Sequence, residues 1–334
     1  MLRKLVLISA VFLLAFSACT PSASPTEAPA PPEVAPTESP PPPLPEPTKE
    51  PAPVSMWPMT LVDALGREIT LEKAPERIVS LSPSNTEVLF AAGAGDLVVG
   101  NTEYCDYPEE ASAIEKVGGF SAKTISVEAI VALNPDLVFS NDSGHEPIIE
   151  ALEQANIVVY AVKAASFEDV FANLELVGKL TENEDIAAQV VDGMKTRIVA
   201  VEEKIATVPQ EERPSVFWEV WDEPLLTSGP NTFSAQMIKI AGGVNIFPDL
   251  TEDYPQISVE EVVSRNPDVI MGPDTHGDKL VIGELTARPG WEEITAVIDG
   301  RIYLIDGNKS SRPGPRLVDA LEEIAASLYP DLFE

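Results

Sequence analysis

Few side chains in this sequence are suited to chemistry, so their surroundings carry the reading. His145 and His276 are the only two histidines. Each follows an apolar run by a few residues. Ligands of α/β sheets bind at strand C-termini, so both could rim a cleft and offer an axial ligand to a chelated metal. Their sequences, Asn141-Asp-Ser-Gly-His145 and Asp274-Thr-His276, equally suit solvated loop histidines. A bare metal ion wants about three or four ligands, and only loop carboxylates such as Asp142 and Asp274 stand near to help. Trp218 and Trp221 add aromatic area at a strand end beside the same cleft. Arg312 could pair with a ligand carboxylate or phosphate; Arg316 reads as a structural tie. Gly93-Ala-Gly95 lacks the third glycine of a dinucleotide fingerprint. No Gly-x-Ser-x-Gly, P-loop or His-Glu-x-x-His is present, so no motif supports an enzyme.

The elements that must position these groups alternate. A hairpin is expected over 60–71, and strands over 78–81, 97–100, 137–139 and 157–160. Helices are expected after Ser84 or Asn85, over 126–133 and over 147–155. A long helix is expected over 182–207. Its apolar stripe is Ile186, Val190, Met194, Ile198, Val201 and Ile205, and Thr181-x-x-Glu184 suggests a capping box. The pattern then restarts: strands 215–221, 268–271 and 301–305, helices near 233–241, 258–264 and 291–297, and a final helix 316–328. Such alternation argues for parallel α/β layers.

One segment occurs twice. Residues 125–142 align without a gap to residues 257–274, with nine of eighteen positions identical. In each copy Ser caps a short helix, Asn-Pro-Asp ends it, and an apolar strand follows. One copy lies on each side of the long helix. The fold class is therefore α/β, with two Rossmann-like lobes joined by a single long helix. The repeat also makes Glu128 and Glu260 equivalent. Each is a first-turn carboxylate, either merely complementing its helix dipole or addressing one of two like basic pockets on a dimeric partner.

Composition sets limits. The chain has 22 Lys+Arg against 54 Asp+Glu, a net charge of −32. That argues against nucleic acid, which needs a basic face. Two cysteines make neither a disulfide framework nor a four-cysteine zinc site. Fifteen of the 32 prolines fall between Pro21 and Pro58. Arg3-Lys4, the apolar stretch Leu5–Phe16 and Ser17-Ala18-Cys19 read as a signal peptide, residues 1–18. Cys19 is then the expected lipidated residue, an incidental cysteine behind an ordinary secretory signal being the alternative. Residues 19–58 read as a lipidated Cys and Pro-rich tether. The lobes are expected over 59–165 and 211–334, with the interlobe region over 166–210.

Asp63-Ala-Leu-Gly66, Arg77-Ile-Val-Ser-Leu-Ser-Pro-Ser-Asn-Thr-Glu87, Ala91-Ala-Gly93, the paired Asn-Pro-Asp elements, Gly242-Gly-Val-Asn245 and Arg312-Pro-Gly-Pro-Arg316 resemble the class III periplasmic binding proteins. Members of that family capture vitamin B12, ferric siderophores or haem for ABC importers. Tyr104-Cys-Asp-Tyr-Pro108 and Tyr254-Pro-Gln-Ile-Ser-Val-Glu260 look most similar to its B12-binding branch. The resemblance implies that Tyr104, Phe120 and Tyr254 hold a corrinoid, Phe120 and Tyr254 replacing tryptophans. It implies that Glu128 and Glu260 dock a permease dimer that works with its ATPase. It further implies a monomer without a resident cofactor, outside the cytoplasm, held to the membrane only by its lipid. A ferric siderophore or haem is the alternative ligand, and a surface enzyme or interaction module on the same scaffold is the reading from another class.

Overall fold

The computed structural model of the protein describes residues 56–274 and 282–333. The signal peptide, Cys19, residues 20–55 of the tether and His276 lie outside the described residues, while Trp57 at the tether's end packs against the core. The expected hairpin is present: strands Met59–Val62 and Glu68–Leu71 pair antiparallel. Asp63 shapes its turn by accepting the Leu65 and Arg67 N–H groups.

Two sheets follow. The first is fully parallel, in the spatial order Val98–Gly100, Ile78–Ser80, Leu137–Asn141, Val159–Val162. The second runs Ile302–Ile305, Val269–Pro273, Ser215–Asp222, Leu225–Thr227. The last of these pairs antiparallel, and Val244–Asn245 adds a short parallel pairing to Ser215–Asp222. Strands of the parallel sheets are buried on both faces, as helices packed on each side require.

Both repeat copies do the same structural work. Ser126 and Ser258 cap the helices Val127–Ala132 and Val259–Arg265. Asn134 and Asn266 then take left-handed conformations, φ 47° and 43°, which asparagine tolerates better than most residues. The following aspartate grips the neighbouring strand. Asp136 Oδ2 accepts the Glu76 and Arg77 N–H groups at 2.9 and 3.0 Å. Asp268 Oδ2 accepts the Ser215 N–H and hydroxyl at 2.8 and 2.7 Å. Asn-Pro-Asp is thus both a helix stop and a strand clamp.

Three expectations are corrected. The helix Pro83–Ala91 is capped by Ser82, not by Ser84 or Asn85, because Pro83 favours the first helical position. The connecting helix spans Glu184–Ile205, about 33 Å long, and Thr181-x-x-Glu184 forms no capping box. Thr181 instead closes a further helix, Phe167–Leu180, that the sequence reading passed over. That helix is capped by Ser166 and packs alongside Glu184–Ile205 as a hairpin. A Cβ on Gly178 would lie 2.6 Å from Ala187 Cβ, so glycine lets the two backbones approach. This contact turns the buried face to Ala187, Val191, Met194, Val201 and Ile205, and leaves Ile186 exposed.

The helix Glu184–Ile205 crosses between the lobes. Near its start the Asn183 amide donates to the Gly93 carbonyl. Midway Arg197 pairs with Asp319 and Glu322 of the helix Leu317–Leu328. One apolar core contains Val88 and Leu89 from the first lobe, Met194 and Val201 from the strut, and Met237 and Leu321 from the second.

Candidate functional site

A cleft of about 780 Å³ opens between the lobes at the strand C-termini, where α/β sheets bind ligands. The first lobe contributes Pro83, Ser84, Asn85, Tyr104, Phe120, Asn141 and Asp142 among its lining, and the second Trp221, Asn308, Ser311 and Arg312. A smaller pocket of about 220 Å³ adjoins it through Ser311 and holds Tyr254, Trp218 and Phe233.

The aromatics of the first lobe are held out of the core by identifiable contacts. Tyr104 is 55 % exposed, although its neighbour Cys105 is buried. The Cys105 thiol takes contacts from the Thr86 and Thr102 hydroxyls. Lys116 Nζ binds Asn101 Oδ1 and the Ala111 carbonyl, closing the loop that carries Tyr104. Phe120 is 52 % exposed, and its carbonyl accepts a hydrogen bond from His145 Nε2 at 2.9 Å. The Ser140 hydroxyl lies 3.0 Å from His145 Nδ1. A carbonyl only accepts, so Nε2 carries the proton and Nδ1 accepts from Ser140.

This corrects both readings of His145. It is 2 % exposed, so it is not a solvated loop residue. Both ring nitrogens have partners, so neither is open to a metal. Its work is to hold Phe120, whose ring it meets edge-on at 6.2 Å between centroids.

In the second lobe Tyr254 is 46 % exposed. Its loop is tacked to the strand Leu225–Thr227 by the Thr227 N–H to the Pro255 carbonyl. Burial of the phenol, reinforced by Asp253, pushes its pKa up to about 12, so the hydroxyl stays neutral. Trp221 lines the main cleft, with its indole N–H donated to the Glu223 carbonyl. Trp218 departs from the expectation: it is 3 % exposed, packs in the shared core and reaches only the smaller pocket. Residues three apart on a strand face opposite ways, so the two tryptophans part company.

Arg312 lines the cleft and is already paired with Asp106 of the other lobe, with Glu87 at 3.8 Å. Arg316 is the expected structural tie. Its Nε and Nη2 donate to Glu87 at 2.9 and 2.6 Å, and its guanidinium stacks on Tyr107 at 3.9 Å. Sequence reasoning missed Glu87 and Asp106, the first-lobe ends of these pairs. It also missed Asn85, Asn141 and Asn308 on the cleft wall.

Glu128 and Glu260 are both exposed in the first turns of the repeat helices. Glu128 accepts a hydrogen bond from the Ser126 hydroxyl at 3.2 Å. In the second copy Glu261, not Glu260, closes the capping box. Among the described residues there is no group of three or more His, Cys, Asp or Glu side chains that could hold a metal ion. No helix among them is long and apolar enough to cross a membrane.

Comparison with known proteins agrees with this geometry. Residues 78–308 match the periplasmic binding protein family. An ABC transporter substrate-binding lipoprotein of Bacillus subtilis, YvrC, described as uncharacterized, is 38 % identical over 284 residues, 84 % of this chain and 88 % of the relative. A cobalamin-binding protein of Halobacterium salinarum is 32 % identical over 282 residues, 82 % of this chain and 74 % of the relative. The crystal structure of the vitamin B12-binding protein BtuF of Vibrio cholerae superposes with a TM-score of 0.67 at 27 % identity, covering 78 % of this chain and 99 % of that one. The chain therefore belongs to the periplasmic binding protein family, as a substrate-binding protein of the ABC importers that carry B12, siderophores or haem, and not as an enzyme.

Proposed function

We propose that the protein captures a corrinoid between its lobes and delivers it to an ABC permease. The observation that carries this reading is the composition of the cleft wall. Exposed Tyr104 and Phe120 stand with Trp221 around one opening, and Tyr254 stands beside it. Flat side chains grip a flat macrocycle at little entropic cost. The polar part of the wall is mostly neutral, with Asn85, Asn141, Asn308, Ser84, Ser143 and Ser311. Amides and hydroxyls suit a macrocycle ringed by carboxamides. The carboxylates of haem or of an acidic siderophore would look for a free cation, and Arg312 is engaged by Asp106. Nearly all of the −32 net charge lies beyond the first 58 residues, which hold 3 basic and 5 acidic side chains; it repels anionic ligands. A ferric siderophore or haem remains the second reading, favoured by Arg312 if ligand displaces Asp106.

Calorimetric titration with cyanocobalamin, cobinamide, haemin and a ferric siderophore tests the ligand. A corrinoid should bind more tightly than micromolar, about −8 kcal/mol; failure to do so sinks the corrinoid reading.

Glu128 and Glu260 are proposed to dock the two halves of the permease, one lobe to each, with the ATPase on its far side. Charge pairs at such a surface set orientation and association rate more than affinity. The double variant Glu128→Ala, Glu260→Ala should stop transport in reconstituted vesicles while ligand affinity stays within about twofold. Loss of ligand binding would refute the docking role. Cys19 is proposed as the lipid anchor at the outer face of the membrane, with residues 20–58 as its tether. The relative YvrC is itself named a lipoprotein.

A further inference from the structure

The first turn of the helix Pro83–Ala91 faces the cleft, with Pro83, Ser84 and Asn85 in its wall. Ser82 caps this turn. Its hydroxyl accepts the Asn85 N–H at 3.3 Å and its carbonyl accepts the Thr86 N–H at 3.1 Å. Proline has no N–H, so the Ser84 amide is the first-turn donor that the cap leaves unused. Beside it, Asn85 is 5 % exposed, and its Nδ2 is buried with no hydrogen-bond partner. An amide donor left in that state is a standing cost to the fold that an apolar side chain of similar volume would avoid. The terminal torsion of asparagine is broad. Rotation about that torsion would present the amide to the cleft with the helix in place.

The neighbouring groups narrow what it would meet there. Asp142 lines the same cleft and repels a carboxylate, while the opposing Arg312 is held by Asp106. A carboxamide is neutral and both gives and accepts. It could take the Asn85 Nδ2 proton on its carbonyl and return an N–H to Asn85 Oδ1. The helix N-terminus favours the carbonyl oxygen at the same place.

Resting on the corrinoid reading above, we propose that Asn85, with the Ser84 amide, is a recognition site for a carboxamide on the rim of the ligand. It selects amide-bearing over carboxylate-bearing macrocycles.

The test compares cobinamide, whose rim carries carboxamides, with cobyrinic acid, whose rim carries carboxylates. Each is titrated into the full chain and into Asn85→Leu, Asn85→Ala and Phe120→Ala, and the ligand-free proteins are melted in parallel. The unchanged protein should prefer cobinamide by about tenfold or more. Both Asn85 variants should lose about tenfold for cobinamide and little for cobyrinic acid, with ligand-free melting temperatures unchanged or raised, because no native hydrogen bond of the side chain is removed. Phe120→Ala should weaken both ligands alike. Unchanged cobinamide affinity in the Asn85 variants overturns the proposal, as does equal binding of the two ligands by the unchanged protein. A lowered melting temperature in both Asn85 variants would make the residue structural and also overturn it. If the unchanged protein binds neither corrinoid, the corrinoid reading falls as well, and the two failures are thereby told apart.

Discussion

Each lobe buries one glutamate on one arginine, and each arginine lies against an aromatic ring. In the second lobe Glu219 takes Arg288 at 2.6 and 2.7 Å, with Trp291 4.6 Å from the guanidinium. In the first lobe Glu87 takes Arg316 at 2.6 and 2.9 Å, with Tyr107 3.9 Å away. The chemistry is the same and the provenance differs. Arg288 belongs to the lobe of its glutamate, whereas Arg316 comes from the opposite lobe. The second pair therefore fastens one lobe internally, and the first fastens the two together beside the ligand cleft. An identical interaction becomes a fold element or a hinge element according to which chain segment supplies the cation.

The largest effect that separates the two should come from truncating the arginines. Arg288→Ala leaves the buried Glu219 carboxylate unpaired, at a cost of about 3–5 kcal/mol in urea unfolding, whereas Arg316→Ala leaves Glu87 with only Arg312 at 3.8 Å and should cost somewhat less. Hydrogen exchange should then diverge. Arg288→Ala should deprotect the second sheet alone. Arg316→Ala should deprotect the helix Pro83–Ala91 together with Leu317–Leu328, and should weaken ligand binding. Equal exchange patterns in the two variants would abolish the distinction.

A smaller effect is expected in pH dependence. Burial pushes the carboxyls of Glu87 and Glu219 above the ordinary value of 4.5, against the pull of their arginines. Such a group binds its proton in the native state before it does so in the unfolded chain. Its contribution to stability therefore rises as pH falls toward 4.5 and declines as pH rises through the folded pKa. Asp106 has the opposite sign. Arg312 holds it below 3.8, so its contribution is present above that value and is lost on further acidification. Glu87→Gln and Glu219→Gln should each flatten the slope of stability between neutral pH and 4.5. An unaltered slope in either would show that its carboxyl does not titrate there.

The smallest effect lies in the repeat helices. Ser258 works in a reciprocal box with Glu261, while the equivalent partner of Ser126 is Ala129. Ser258→Ala should cost about 1 kcal/mol and Ser126→Ala a few tenths less. A larger loss for Ser126→Ala would reverse this ranking.

The repeat shows why part of the molecule was legible in sequence. Serine caps, the Asn-Pro-Asp stop and apolar strands are local, so each copy announces its own shape. The helix Phe167–Leu180 was legible too, through Ser166 and the spacing of Phe167, Val170, Leu174 and Val177, but its residues were absorbed into a connection. Trp218 could have been assigned to the core, since strand periodicity separates it from Trp221. The pairing of Glu87 with Arg316 could not be read. The two residues are 229 positions apart, and nothing local to either marks the other as its partner. The unpartnered amide of Asn85 belongs to the same class, because satisfaction of a buried donor is a property of the assembled wall.

The shared core has a consequence for the order of events during synthesis. Val88 and Leu89 lie in one apolar cluster with Leu317, Leu321 and Ile324 from the last long helix. The strut helix packs on both the helix Pro83–Ala91 and the helix Leu317–Leu328, and the latter is synthesised more than 220 positions after Leu89. Completion of the shared core thus waits on that helix. Although the molecule repeats itself, neither half is a finished product, and a gene cut at the strut would encode two fragments that each expose the apolar surface meant for the other.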